Sequence, residues 1–275
     1  MTLDEAARQL AAAGIESPRA EARLLFAHAL GMTRDEAISP LLVPTPEQST
    51  AFAVAVSRRV AREPVAYITG CKEFWSLDFM VGPGVLVPRP DTETLIEEAL
   101  RIFPDRNALL RIGDLGAGSG ILLSAALREF PKASGTGFES SPEAFLWARL
   151  NIDRLIPGRA DLHQADWNLA PEGCFDLILC NPPYIPCEEI KSLAPDVSHY
   201  EPRAALDGGP DGLDAYRDLA KLIPDILKPG GRAILEIGFG QAAAMEPLFR
   251  DSGANLVRIA PDLAGIPRAL VLEKG

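Results

Sequence analysis

Short apolar runs alternate with segments of helical periodicity from residue 91 to residue 275, and this alternation limits the possible folds more than any other feature. The predicted strands cover 109–115, 135–138, 175–180, 232–237, 256–259 and 269–272, and a further strand is expected just before Asp166. The predicted helices cover 92–102, 121–130, 142–154, 213–227 and 241–251. Such an alternation predicts an α/β fold, in which helices cover both faces of one doubly wound, mostly parallel sheet.

Residues 1–63 carry the signals of a separate helical bundle. Thr2 with Glu5, and Thr45 with Gln48, fit the capping box that starts a helix. Apolar residues recur at helical spacing after these starts, and Gly31 stands where a helix is expected to end. The pattern predicts three or four short helices packed together.

The stretch from 64 to 90 separates these two regions. Its β-prone pieces are Tyr67-Ile68, Glu73-Phe74-Trp75 and Phe79-Met80-Val81, and glycines and prolines punctuate them. We therefore expect a β-hairpin linker here. The predicted organisation is a helical bundle over 1–63, the linker over 64–90 and a large α/β domain over 91–275.

Charge and apolar patterning weigh against several functional classes. The net charge of −11 repels phosphate backbones, which disfavours long-range attraction to nucleic acid. The longest apolar run, 51–56, has six residues, whereas a membrane helix needs about 20. The four cysteines form no CxxC pair and the three histidines are scattered, so we expect reduced thiols, no metal site and a cytoplasmic location.

A glycine-rich turn follows the first predicted strand of the large domain. The run Asp114-Leu115-Gly116-Ala117-Gly118-Ser119-Gly120 connects that strand to a helix. Glycines here permit a tight turn and let a ligand touch the backbone, while the N–H groups at the start of the helix face that ligand. The G-x-G-x-G spacing is one residue shorter than the dinucleotide pattern, which favours a ligand without a pyrophosphate.

Two residues further along the chain extend the predicted ligand site. Glu139 lies nineteen residues after Gly120, at the end of the second predicted strand, where a carboxylate is placed to accept hydrogen bonds from both hydroxyls of a ribose. Trp167 follows the third strand, where its indole could cover an adenine ring. The spacing therefore predicts contacts to a nucleoside.

The tetrapeptide Asn181-Pro182-Pro183-Tyr184 comes directly after the apolar run 175–180. Ligands bind beyond the carboxyl ends of the strands in an open parallel sheet, so this loop is expected at the site. Two prolines fix φ and remove two N–H donors, which leaves a stiff loop rich in acceptors. We call residues 181–184 the acceptor loop. The carbonyls of the Asn181 side chain and the Pro182 backbone suit a planar NH2 group, either an amide or the exocyclic amine of a base, and Tyr184 adds an aromatic face.

A pair of fixed acceptors addresses a specific chemical difficulty. The lone pair of an amide or aryl nitrogen is delocalised, so this nitrogen is a poor nucleophile. Acceptors that take hydrogen bonds from both N–H groups push electron density toward the nitrogen and hold its lone pair toward an electrophile. A methyl sulfonium is such an electrophile. Because methyl transfer makes the nitrogen acidic, no strong general base is required.

With these motifs the chain resembles the class I S-adenosylmethionine-dependent methyltransferases and, among them, the release-factor glutamine N5-methyltransferases. The resemblance covers nearly the whole chain and implies a Rossmann-like methyltransferase sheet with a small N-terminal helical bundle and a β-hairpin linker. Besides the glycine turn and the Asn181 loop, it rests on Arg62-Glu63-Pro64, Tyr67-Ile68-x-Gly70, Glu73-Phe74, Val87-Pro88-Arg89-Pro90-Asp91-Thr92-Glu93, Tyr200-Glu201-Pro202, Asp211-Gly212-Leu213 with Tyr216, Leu227-Lys228-Pro229-Gly230-Gly231, Glu236-Ile237-Gly238 with Gln241, and Asp262-Leu263-Ala264-Gly265 with Arg268.

The resemblance also implies which residues bind and act. The implied contacts to S-adenosylmethionine come from Gly116, Ala117, Gly118, Ser119, Gly120, Glu139, Trp167 and Asn181. The implied cradle for the glutamine amide is Asn181, Pro182, Pro183 and Tyr184, of which Asn181, Pro182 and Tyr184 form the catalytic set. Glu139 stands where aspartate is usual in the family, so its carboxylate is one methylene further from the backbone.

The implied substrate is the glutamine of the Gly-Gly-Gln loop of peptide chain release factors, and the N-terminal bundle is implied to contact that protein. A sibling enzyme that methylates a glutamine of a ribosomal protein has the same acceptor loop and is the main alternative. A DNA or RNA adenine N6-methyltransferase is weakened by the net charge and by the lack of a large insertion that could read bases. A cofactor-binding scaffold without activity is a further alternative, against which the intact loop argues.

Overall fold

The computed structural model of the protein describes residues 1–33, 36–38, 43–250 and 252–275. These residues form two compact units. The N-terminal unit contains Met1–Cys71 together with Ala194–Tyr200, and the catalytic unit contains Lys72–Leu193 together with Glu201–Gly275. Within the described ranges, no helix combines the length and the apolar character needed to cross a membrane.

Short helices build the N-terminal unit. They are α1 (Leu3–Ala12), α2 (Pro18–Leu30), α3 (Pro46–Val60), α4 (Val65–Thr69) and, from the later stretch, α8 (Pro195–Ser198), with a 3₁₀ turn at Glu36–Ile38. Thr2 and Thr45 both form complete capping boxes, and Gly31 ends α2 in the left-handed conformation. The predicted bundle of short helices is confirmed. Its core includes Phe26 and Phe52, whose rings meet edge to face with centroids 5.2 Å apart.

A buried arginine joins three parts of the N-terminal unit. Arg59 on α3 is only 5% exposed, and its guanidinium contacts Glu21 of α2 at 2.6 Å and Asp196 of α8 at 3.3 Å. The hydroxyl of Tyr200 donates to the backbone carbonyl of Ala61 at 2.7 Å. The stretch 194–200 therefore completes the ion-pair network of a unit that begins at the N-terminus.

The linker forms a hairpin, although a shorter one than predicted. Strands β1 (Cys71–Phe74) and β2 (Leu77–Met80) pair across Trp75 and Ser76, which both have positive φ as a tight two-residue turn requires. The prediction of β structure at Tyr67-Ile68 is wrong, because these residues lie in α4. Their side chains are buried there and Gly70 ends the helix, so tertiary packing overrides the β propensity of tyrosine and isoleucine.

One seven-stranded sheet forms the centre of the catalytic unit. Its strands are β3 (Arg111–Leu115), β4 (Ser134–Glu139), β5 (Ala160–Gln164), β6 (Phe175–Cys180), β7 (Leu227–Glu236), β8 (Ala254–Pro261) and β9 (Pro267–Lys274), in the order β5-β4-β3-β6-β7-β9-β8. Neighbours from β5 to β7 pair in parallel, and β9 runs antiparallel to both β7 and β8. The chain moves outward from β3 to β5 and then returns to β6, so β3 and β6 flank the topological switch point.

The helices of the catalytic unit are α5 (Glu93–Ile102), α6 (Ile121–Glu129), α7 (Pro142–Leu155), α9 (Asp214–Ile226) and α10 (Ala242–Arg250). The predicted doubly wound, mostly parallel sheet is confirmed, and each predicted strand and helix of this region is present. Strand β7 begins five residues earlier than predicted, since Leu227 already pairs with Phe175 despite the intervening Pro-Gly-Gly. A register shift in that ladder accommodates the extra residues.

Candidate active site

The residues singled out in the sequence follow the carboxyl ends of neighbouring parallel strands. The glycine loop follows β3, Glu139 ends β4, Trp167 follows β5 and Asn181 follows β6. These strands pair in parallel in the order β5-β4-β3-β6, so their carboxyl ends share one edge of the sheet. The structure therefore brings all the predicted site residues to that edge, beside the switch point.

The glycine loop has a backbone that only glycine adopts easily. Gly116, Gly118 and Gly120 have φ values of 76°, 57° and 80°. The N–H groups of Gly116 and Ala117 both donate to the carbonyl of Phe138 at 2.9 Å, which ties the loop to the end of β4. Side chains other than glycine would strain each of the three positions by about 1–2 kcal/mol.

Glu139 ties the glycine loop to the start of α7. Its Oε2 accepts the N–H of Gly118 at 2.8 Å and its Oε1 accepts the N–H of Ser141 at 2.8 Å. Burial raises the pKa of Glu139, and these backbone hydrogen bonds oppose the rise. Each carboxylate oxygen has two lone-pair directions, so both oxygens retain capacity for a ligand hydroxyl.

Asp114 is a fully buried carboxyl group beneath the loop. Its Oδ2 accepts the N–H of Leu123 at 3.1 Å, near the start of α6. Its Oδ1 has no hydrogen-bond partner in the described part of the chain. Burial raises the pKa of Asp114 to about 7, and the nearby charge of Glu139 adds to the rise.

Trp167 lies over the first glycine of the loop. It starts the 3₁₀ turn Trp167–Leu169, which Asp166 caps by accepting the N–H of Asn168 at 2.9 Å. A Cβ atom built on Gly116 would be 3.4 Å from Cζ3 of Trp167. The glycine loop, the carboxylate oxygens of Glu139 and the indole of Trp167 thus lie at the same edge of the sheet, and this set of groups fits the ribose and adenine of S-adenosylmethionine.

Asn181 lies directly beyond β6, with its side chain held from one side. Its Nδ2 donates to Oγ1 of Thr92 at 3.2 Å. Thr92 is fully buried, and its own hydroxyl donates to Oε2 of Glu236 at 2.6 Å. Because Nδ2 is committed to Thr92, Oδ1 is the atom of this carboxamide that remains as an acceptor.

Tyr184 closes the other end of the same loop. Its hydroxyl donates to Oε1 of Glu236 at 3.0 Å. Burial raises the pKa of Tyr184, and the neighbouring Glu236 carboxylate raises it further. Burial also raises the pKa of Glu236, while the hydrogen bonds from Thr92 and Tyr184 and the positive charge of Arg268 oppose that rise.

The backbone after the loop is held by further hydrogen bonds. Nε2 of Gln241 donates to the carbonyl of Tyr184 at 2.9 Å, and Oε1 of Gln241 accepts the N–H of Gly238 at 2.9 Å. The N–H of Ile185 donates to the carbonyl of Leu206 at 2.9 Å. The acceptor loop is therefore rigid because of its partners as well as its prolines.

Glu201 fixes a stretch of backbone within the catalytic unit, at Val87 and Arg89. Its carboxylate contacts Arg89 at 2.5 Å and accepts the N–H of Val87 at 3.1 Å. Arg268 in turn pairs with Asp91 at 3.1 Å. These ion pairs hold the segment just before Thr92.

Sequence reasoning assigned no role to Thr92 or Glu236, which together hold Asn181 and Tyr184. Both residues lie in runs that support the family resemblance, yet they are 144 positions apart in the chain. The available signal was chemical: Glu236 is an acidic residue that directly follows the apolar run 233–235 at the end of β7. A buried carboxylate in such a position needs partners.

Comparisons with known proteins give a consistent result. The family model described as the PrmC N-terminal domain matches residues 2–70, and the model described as the methyltransferase small domain matches residues 94–194. A "Release factor glutamine methyltransferase" of Caulobacter vibrioides is 45% identical over 262 residues, which are 94% of this chain and 90% of that protein. A protein of the same name from Rhodospirillum rubrum is 42% identical and is covered over 84% of its length by 99% of this chain.

A solved structure supports the fold. The crystal structure of a methyltransferase from Pyrococcus furiosus is 21% identical, with a TM-score of 0.54 over 80% of this chain and 97% of that chain. At this identity the likeness concerns the fold alone.

Proposed function

Because the chain belongs to the release factor glutamine methyltransferases, we propose that it transfers a methyl group from S-adenosylmethionine to the side-chain amide nitrogen of the Gly-Gly-Gln glutamine in peptide chain release factors. The observation that carries the proposal is the acceptor loop at the end of β6. There Asn181 is held with its Nδ2 on Thr92, and its Oδ1 remains to receive an N–H group.

Asn181 and Pro182 bind and orient the substrate amide. The side-chain oxygen of Asn181 and the backbone oxygen of Pro182 each accept one N–H of the glutamine carboxamide. Two acceptors fix the plane of the group and raise the electron density on its nitrogen. The aromatic ring of Tyr184 supports the amide plane from beside the loop.

The glycine loop, Glu139 and Trp167 bind the methyl donor. Gly116, Gly118 and their neighbours offer backbone to the methionine and ribose parts, Glu139 accepts from the ribose hydroxyls, and Trp167 covers the adenine. When bound, S-adenosylmethionine supplies a methyl group on a positively charged sulfur. Asn181 and Pro182 would hold the glutamine nitrogen toward this methyl group, and the proton that the nitrogen gives up on methylation would pass to water.

The two parts of the chain have separate tasks in this proposal. The bundle over 1–63 recognises the release factor, the linker over 64–90 follows it, and the region 91–275 performs the transfer. A release factor is a protein of the translation apparatus, so we infer a cytoplasmic location and a protein partner, without direct binding of nucleic acid.

The test is methyl transfer from labelled S-adenosylmethionine to separate acceptors. We expect label in a release factor, mass-spectrometric assignment to its Gly-Gly-Gln glutamine, and no label when that glutamine is replaced by alanine. Ribosomal proteins and duplex DNA are the competing acceptors. Label confined to a ribosomal protein would select the sibling activity, and label confined to DNA would overturn the proposal.

A further inference from the structure

A single buried carboxylate is connected to both ends of the acceptor loop, to Tyr184 directly and to Asn181 through Thr92. Glu236 is the last residue of β7 and is 1% exposed. Its Oε2 accepts the hydroxyl of Thr92 at 2.6 Å and its Oε1 accepts the hydroxyl of Tyr184 at 3.0 Å. Burial of an acidic group is costly unless its oxygens are satisfied, and both oxygens here serve one structural element.

The hydrogen bonds between these groups have a fixed direction. The hydrogen bonds that Thr92 and Tyr184 donate favour the ionised form of Glu236, and an ionised carboxylate only accepts, so the one hydroxyl proton of Thr92 is directed to Glu236. Thr92 then has only lone pairs to offer Asn181, and it accepts from Nδ2 at 3.2 Å. The order of donation is therefore from Asn181 to Thr92 to Glu236.

This direction determines how the Asn181 carboxamide is turned. The oxygen and nitrogen of an asparagine side chain are similar in shape, so its orientation depends on the hydrogen bonds around it. If the carboxamide of Asn181 turned over, Oδ1 would meet the lone pairs of Thr92, and an NH2 group would face the substrate amide. Two facing NH2 groups cannot bond, so the reverse orientation is inactive.

We propose that Glu236 is a positioning residue, which acts through Thr92 to hold the oxygen of Asn181 toward the substrate amide and through the hydroxyl of Tyr184 to fix the other end of the acceptor loop. The inference rests on the proposed methylation of an amide. The inference adds that Asn181, which contacts the substrate amide, is oriented by Glu236, which does not contact the substrate.

Thr92 provides the sharpest test because two substitutions separate its hydroxyl from its shape. Thr92→Val keeps the volume and removes the hydroxyl, whereas Thr92→Ser keeps the hydroxyl. We expect Thr92→Val to lower kcat for release-factor methylation by about ten- to hundredfold, as for a misoriented reacting group. We expect Thr92→Ser to retain kcat within about threefold, since the serine hydroxyl can still accept from Asn181 and donate to Glu236. Thr94→Val makes the same change at another buried threonine two residues further on and is expected to leave kcat unaltered.

Glu236→Gln tests the carboxylate itself. In the glutamine one of the two oxygen positions becomes an NH2 group, which cannot accept, so one of the hydrogen bonds that Thr92 and Tyr184 donate to Oε2 and Oε1 is lost. We expect kcat to fall. We also expect kcat of the double variant, Thr92→Val with Glu236→Gln, to be no lower than that of the poorer single variant, because both substitutions act on the same link from Glu236 through Thr92 to Asn181.

A spectroscopic measurement separates this inference from the proposed function. In the ¹⁵N-labelled protein the side-chain NH2 signal of Asn181 is identified by its loss in Asn181→Asp. We expect this signal to shift in Thr92→Val and to keep its position in Thr92→Ser and Thr94→Val. Absence of methylation by the unaltered protein would defeat the proposed function while the NMR result still tests the connection. An unmoved Asn181 signal in Thr92→Val, unaltered kcat in that variant, or an equal fall in Thr94→Val would overturn the inference.

Discussion

The buried carboxyl group of Asp114 makes a quantitative prediction about stability and pH. Its pKa is raised to about 7 from an ordinary value of 3.8, chiefly because burial penalises the charged form. A raised pKa means that the folded protein holds this proton more tightly than the unfolded chain does. The resulting contribution to stability is fully present below pH 3.8 and is lost as the pH rises through about 7.

The size of the effect follows from the difference between the two pKa values. Each unit of pKa corresponds to about 1.4 kcal/mol, so a rise from 3.8 to about 7 corresponds to about 4 kcal/mol. Asp114→Asn removes the titration and keeps a side chain of similar shape. The free energy of unfolding of the natural protein, minus that of Asp114→Asn, is therefore expected to fall by about 4 kcal/mol between acid and mildly alkaline pH.

The assay is urea unfolding of both proteins at several pH values, followed by tryptophan fluorescence and circular dichroism. Subtracting the two profiles removes the titration of the groups that both proteins share and that do not interact with residue 114. Asp161→Asn alters an exposed aspartate of β5 and serves as the control for the chemical change. A difference profile that stays flat, or one that rises with pH, would refute the assignment of a buried protonated group at Asp114.

Three further outcomes test the site and the N-terminal unit. Asn181→Ala is expected to abolish turnover while the affinity for S-adenosylmethionine stays within about tenfold, or roughly 1.4 kcal/mol, because most cofactor contacts lie elsewhere. Normal turnover in this variant would contradict the assigned role. Glu139→Ala is expected to weaken cofactor binding at least about tenfold by calorimetry, and an unchanged affinity would remove Glu139 from the ribose site. Asp196→Asn, which weakens one partner of buried Arg59, is expected to lower the free energy of unfolding by about 1–2 kcal/mol, while Asp153→Asn in an exposed pair costs less than about 0.5 kcal/mol. Equal costs in the two aspartate variants would show that burial of Arg59 adds nothing.

The fold was largely predictable because its signals are local. Apolar runs and helical periodicity located the strands and helices of the catalytic unit, and the glycine turn located the end of β3. The sequence misled at Tyr67-Ile68, where β propensity was overcome by burial in α4. The first half of β7 was also not predicted, because Pro229 and Gly230 disfavour a strand in the sequence pattern. In the structure this stretch is a strand because it pairs with β6.

The candidate site was predictable only in part. Residues that follow strands are recognised by their position, so Glu139 and Asn181 could be named from spacing alone. The hydrogen-bond partners of Glu139 and Asn181 could not be named from spacing. The Thr92–Glu236 bond joins residues 144 positions apart, and the bond between Glu139 and Gly118 depends on how far one side chain reaches. Such pairings arise only in the packed fold, and the periodicity of the sequence does not indicate them.

The stretch 194–200 has a consequence for how the protein is made. Arg59 enters the growing polypeptide long before Asp196, which lies 137 positions later. During synthesis the first sixty residues can form helices. The guanidinium of Arg59, however, gains its second carboxylate, that of Asp196, only after most of the catalytic unit has been synthesised. A fragment cut after Cys71 would lack the carboxylate of Asp196, so the N-terminal unit is not contained in one continuous segment of the chain.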